Sequence, residues 1–116
     1  MIFHQPEAPA DFAGVEAVLL EAFHLSQEAA RNQEPIVYVL RQKDLLGQDT
    51  VLGAILANAL LSAVKTLAAE KNVANAVAIG DDAAHAEHWI AILHDQSDVT
   101  GELIRLGPGH VGKALT

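Results

Sequence analysis

At 116 residues, 51% of them hydrophobic, the chain holds enough apolar material for one domain with one core, which counts against a disordered polymer and against a multidomain assembly. Fifteen acidic against seven basic residues give a formal charge of -8, which repels phosphate backbones and anionic lipid heads, so no nucleic acid and no membrane surface is expected as a partner. With no cysteine in the chain, disulfides and thiolate chemistry are excluded and a reducing, cytoplasmic setting is expected.

The N-terminal run Met1-Ile-Phe-His-Gln-Pro-Glu lacks the basic stretch and apolar core of a secretion signal. Pro6 and Pro9 predict an irregular lead-in. Asp11 is the candidate N-cap of a helix reaching about Asn32, with Val15, Val18, Leu19, Ala22, Phe23 and Leu25 mostly on one side. After Pro35, the unbroken apolar run Ile36-Val37-Tyr38-Val39-Leu40 has the pattern of a strand covered on both faces. Arg41 to Asp49 predicts a polar loop containing Gly47, and Thr50 opens a second helix to about Glu70. Val73 to Ile79 predicts a second buried strand, Asp81 to about His94 a third helix, and Glu102 to Leu106 a third strand. Helices alternating with strands imply parallel strands joined by helical crossovers, an α/β fold.

The middle helix carries the expectation about assembly. Its polar positions Asn58, Ser62, Lys65 and Thr66 make one narrow stripe, while Val51, Leu52, Ile55, Leu56, Leu60, Leu61, Val64 and Leu67 cover most of the remaining circumference. Such a helix is buried on two sides, and a small domain has little else to cover the second, so Leu52, Ile55, Leu56, Leu60 and Val64 are expected at an interface. The first predicted strand adds Ile36 and Tyr38 to that interface: it is apolar on both faces, and the sequence before it predicts no neighbouring strand. Val51 to Leu67 also raises a transmembrane reading, but it is short for a bilayer and holds Asn58, Ser62 and Lys65.

Several segments in order resemble one family. Ala22-Phe-His-Leu-Ser-Gln-Glu-Ala29 is similar to the helix that reads Ala-Phe-His-Leu-Thr-Gln-Ala-Ala in short-chain dehydrogenases, and Pro35-Ile-Val-Tyr-Val39 resembles the strand that follows it. Lys65-Thr-Leu-Ala-Ala-Glu70 resembles the family's Lys-Ser-Leu-Ala-x-Glu, and Asn72-Val-Ala-Asn-Ala-Val-Ala-Ile-Gly80 its strand Val-x-Val-Asn-x-Val-x-Pro-Gly. Val99-Thr-Gly-Glu102 resembles the Val-Thr-Gly-Gln that opens the family's last strand. The resemblance runs from about Asp11 to Leu115 and implies the C-terminal half of that fold, a truncated Rossmann-like three-layer α/β domain with about three parallel strands and three helices.

Departures from the family bear on chemistry. No glycine-rich turn stands at the start to receive a dinucleotide pyrophosphate. Carried over by position, the family's helix asparagine falls at Val18, its serine at Arg41, its tyrosine at Gly53 and its lysine at Ala57, while the proline of the closing strand falls at Ile79 and the glycine is kept as Gly80. Neither glycine nor alanine transfers a proton, so no catalytic residue, no cofactor-binding residue and no cofactor is expected.

Three further features invite a site. Gly107-Pro-Gly-His-Val-Gly-Lys113 fits the first seven residues of a phosphate-binding loop, but Ala114 stands where Ser or Thr would hold magnesium; the run reads instead as a tail crossing to a neighbouring subunit. Asp81, Asp82, His85 and His88 fall at helical spacing, making Asp81, His85 and His88 candidate metal ligands against the plainer reading of a solvated face. Arg41, Lys43 and Asp44 follow the first predicted strand, at the carboxyl ends where parallel sheets bind ligands. The expectation is a non-catalytic, short-chain-dehydrogenase-like protein acting by association, as a dimer or tetramer or with a full-length dehydrogenase. The alternatives are half of a split nicotinamide-dependent oxidoreductase and a small ligand- or metal-binding module.

Overall fold

The computed structural model describes residues 1–107; the glycine-rich run beyond Gly107, with the tail role expected for it, lies outside them. The elements, in order, are β1 (Ile2–His4), α1 (Phe12–Arg31), β2 (Ile36–Arg41), α2 (Gln42–Leu45), α3 (Val51–Ala69), β3 (Ala74–Ile79), α4 (Ala86–His94) and β4 (Leu103–Leu106). The four strands form one sheet in the order β1-β2-β3-β4, every pair parallel. The α/β, three-layer reading holds, with four strands among the described residues where three were expected.

The sheet lies between two helical layers. On one face α1 and α3 cover Phe3, Ile36, Tyr38, Leu40 and the alanines Ala74, Ala76 and Ala78. On the other face α4, through Ile90 and Leu93, covers Val37, Val39 and Val77. Successive residues of a strand point to opposite faces, so β2 must be apolar throughout to serve both layers, which is why its sequence shows no alternation. The alanines of β3 leave room for α3 to lie close, with Leu56, Leu60 and Val64 fully buried in that layer.

Helix starts follow the expected chemistry. Asp11 Oδ1 accepts the Gly14 N–H at 2.8 Å, and Thr50 Oγ1 accepts the Gly53 N–H at 2.9 Å, so α1 and α3 begin one residue after the side chains that cap them. Buried Asn75 ties the last crossover to the sheet: its Nδ2 donates to Val99 O at 2.9 Å and its Oδ1 accepts from Glu102 N at 3.1 Å. Thr100 Oγ1 accepts from Ala74 N at 3.1 Å and donates to Asn72 O at 2.9 Å.

Three expectations change. The lead-in contains β1, whose residues Ile2, Phe3 and His4 pair with Val37, Tyr38 and Val39. This closes the edge left open in the sequence reading, and Ile36 and Tyr38, expected at an interface, are fully buried in the chain's own core. The predicted loop after β2 includes the short helix α2. The third long helix starts at Ala86, because Gly80 to His85 is spent on a turn closed by Ala83 N–H to Gly80 O.

Candidate functional site

Parallel strands place their carboxyl ends on one rim of the sheet, and a crevice of about 300 Å3 opens there, lined among others by His4, Gln5, Arg41, Gln42, Lys43 and Gly80. Gln5, just past β1, is buried and bonded through both ends of its amide. Its Oε1 accepts from Arg41 N at 2.9 Å and its Nε2 donates to Asp44 Oδ2 at 2.8 Å. Helix α2 carries Asp44 beneath the crevice, where its side chain has no exposed surface. Arg41 spreads its guanidinium between two carboxylates, with Nη1 3.5 Å from Asp44 Oδ2 and Nη2 3.6 Å from Asp49 Oδ2. Lys43 Nζ stands 3.0 Å from Asp81 Oδ2 at the mouth.

Of the residues expected here, Arg41 and Lys43 line the crevice and Asp44 lies behind it. Gln5 was not legible as a site residue: its partner Asp44 is 39 positions away in sequence, and one glutamine beside a proline carries no local signal.

The positions that resemble the catalytic pair are closed. A β-carbon on Gly53 would stand 2.3 Å from Asp44 Oδ1 and 2.9 Å from Thr50 Oγ1, so no side chain fits there without displacing the carboxylate. Ala57, one turn on, is fully buried, and Val18 is half-buried against the helical side of the core. The chain's one tyrosine is far from this role. Tyr38 is fully buried, its hydroxyl 2.6 Å from Ser26 Oγ and 3.4 Å from Ala22 O, and burial pushes its pKa up while the Ser26 hydrogen bond pulls the other way.

The metal candidates separate. Asp81 lies within the turn after β3 and faces Lys43, His85 sits at the N-cap of α4 without a side-chain capping bond, and His88 lies in the first turn of the helix, its ring T-shaped against Trp89. Among the described residues, no group of three or more His, Cys, Asp or Glu side chains is placed to hold a metal ion.

A second feature lies on the outer side of α1 and α3. Of the interface residues expected on α3, Leu56, Leu60 and Val64 are fully buried against the sheet, so their expected role passes to the chain's own core. Leu52 stays half-buried and Ile55 is 40% exposed. Only five residues of this 19-residue helix are buried, although by length and composition it is apolar enough to cross a membrane. The exposed apolar surface continues through Val51 and, on α1, through Phe12, Leu20 and Phe23. Between the two helices runs a hollow of about 400 Å3, lined by Phe23 and Gln27 on α1 and by Ala59, Ser62, Ala63 and Thr66 on α3.

No protein-family model matches this chain, and no curated protein matches it.

Proposed function

We propose that this chain is a non-catalytic, short-chain-dehydrogenase-like protein that acts by association, with another copy of itself or with a full-length dehydrogenase. The observation that carries the reading is the contact of Gly53 with Asp44. Where the resemblance puts a proton-donating tyrosine, the chain has a glycine whose missing side-chain space is filled by a buried carboxylate. A lost catalytic residue is repairable by one substitution, but a site filled from a neighbouring element is committed to another use. The crevice beside it points the same way. Its Arg41 and Lys43 are turned to Asp44, Asp49 and Asp81, which leaves His4 as its one uncommitted proton carrier among the described residues.

Association is supported by the exposed apolar surface of α1 and α3, which a monomer would leave in water at a cost of about 25 cal/mol per Å2. The cysteine-free, acidic composition supports a reducing, cytoplasmic setting. Size-exclusion chromatography with light scattering, on the chain alone and with a co-expressed dehydrogenase, tests the reading. A multimer, or a stable mixed complex without carbonyl reduction by this chain, is expected. A monomer that binds no dehydrogenase would overturn association, and carbonyl reduction that depends on this chain would overturn the non-catalytic part.

A further inference from the structure

We propose that the amino group of Met1, the carboxylate of Glu34 and the imidazole of His94 form a binding site for a divalent transition metal, copper(II) above the others. The site is independent of the association reading.

Three segments distant in sequence meet there. Met1 leads into β1, Glu34 lies in the turn between α1 and β2, and His94 stands in the last turn of α4. The Met1 nitrogen is 2.5 Å from Glu34 Oε1 and 2.8 Å from His94 Nε2, and those two atoms are 3.2 Å apart. Neighbouring donors around a metal bound at about 2.0–2.1 Å are about 2.9 Å apart in octahedral or square geometry. The three gaps straddle that value, so one ion above the triangle reaches all three donors after small side-chain rotations. The third donor is a main-chain amine, which is why the side chains alone form no metal-holding group here.

The surroundings favour a cation. His94 stands at the C-terminal end of α4, where the helix dipole is negative. A hollow of about 220 Å3 adjoins the cluster, lined among others by Glu28, Asn32 and Glu34. It brings a second carboxylate close and leaves room for water on the remaining coordination positions. The side chains of Glu34 and His94 are 42% and 34% exposed, so an ion can enter from solvent.

Donor chemistry selects the metal. Calcium and magnesium take oxygen donors and copper(I) takes sulfur, whereas an amine, an imidazole and one carboxylate suit the later divalent ions, whose affinity peaks at copper(II). On binding, the Met1 ammonium releases one proton to solvent and gives its freed lone pair to the metal. One remaining amine hydrogen keeps its bond to Pro35 O, 2.7 Å away, and holds the nitrogen in place. The bound ion ties β1 to α4 and to the α1–β2 turn, and so stabilises the fold.

The test is a titration of the full, chelator-stripped chain with copper(II) chloride, followed by calorimetry and electron paramagnetic resonance. One ion per chain is expected, with two nitrogen donors in the spectrum, one of them imidazole. His94→Ala, and a chain with one glycine added before Met1 to turn the amine into an amide, are each expected to weaken binding by more than the about 100-fold that losing an outer-shell partner costs. Glu34→Gln, which keeps the shape and removes the charge, is expected to weaken it by about 10-fold or more. Copper(II) should raise the melting temperature of the wild type more than that of any variant. No binding at micromolar copper(II) would overturn the site, and so would wild-type affinity in all three variants, which would put the ion on other histidines. A loss confined to one or two of them would overturn the three-donor arrangement. If a variant does not fold, the wild-type spectrum decides, since the absence of either nitrogen overturns the site.

Discussion

The carboxylate of Asp44 occupies the space that a side chain on residue 53 would need: an added β-carbon at Gly53 would lie 2.3 Å from Asp44 Oδ1. The contact joins α2 to the first turn of α3 and stands on the most buried acidic side chain among the described residues. Asp44 Oδ2 is held by Gln5 and faces Arg41, while Oδ1 has no hydrogen-bond partner among the described residues. A buried carboxylate with one open oxygen is costly, and the nearby N-terminus of α3 offsets part of that cost through its dipole.

Gly53→Ala is therefore expected to destabilise the chain by about 1–3 kcal/mol, as overpacking against a neighbour that cannot retreat does. Asp44→Ala alone leaves Gln5 Nε2 without its acceptor and costs about 1–3 kcal/mol. In the double variant the new methyl group enters the vacated space, so the loss falls short of the sum of the two by about 0.5–3 kcal/mol. Urea unfolding of the four proteins measures this coupling. Strict additivity would mean that the two residues do not compete for the same space.

Tyr38→Phe is expected to cost about 1–2 kcal/mol, because it leaves Ser26 Oγ buried without its 2.6 Å partner. The same hydroxyl sets an alkaline limit. Burial raises its pKa in the folded chain above the usual value of about 10, so the neutral phenol's contribution is complete below that value and is lost as pH rises through the folded pKa. Melting temperature measured across the alkaline range should fall for the wild type, and the Tyr38→Phe curve should be flatter there.

How much of this was legible follows from what each residue answers to. The strand β2 was readable because burial on both faces demands an unbroken apolar run, β3 because its run is apolar but for Asn75, and the helices α1 and α3 because Asp11 and Thr50 cap where the apolar period begins. Strand β1 was not: in three residues only Phe3 turns into the core, too few to show a period. The all-round apolar surface of α3 was legible, but the sequence leaves open which flank meets the sheet, and three of the five interface residues expected there are core. The start of α4 was misplaced because the chain turns back at Gly80 to Ala83 before the helix begins, and the crevice was only half visible because Gln5 and Asp44 meet through the fold alone.

Glu34 governs the acid side. Its carboxylate accepts from the Met1 ammonium and lies 3.2 Å from His94 Nε2, and these neighbours hold its pKa below the usual carboxylate value, the ammonium hydrogen bond most of all. A depressed folded pKa gives stability that is present above the unfolded value of about 4.3 and disappears as pH falls through the folded one. Glu34→Gln should remove part of the acid slope in a pH series of melting temperatures. An acid slope identical to that of the wild type would show that the cluster contributes nothing to folding.

Helix α3 makes the sharpest contrast between neighbouring positions. Leu60 is fully buried among the apolar residues between the helices and the sheet, so Leu60→Ala removes three carbons from a packed site and is expected to cost about 2–5 kcal/mol. Ile55 lies on the outer flank at 40% exposure, and Ile55→Ala should cost under about 1 kcal/mol in a monomer. Denaturation at several protein concentrations separates this cost from association: the Leu60→Ala loss stays constant with dilution, while the Ile55→Ala difference shrinks as the wild type itself dissociates. Equal losses at high dilution would mean that α3 lies on the sheet with its other flank, and the outer apolar face would then not exist.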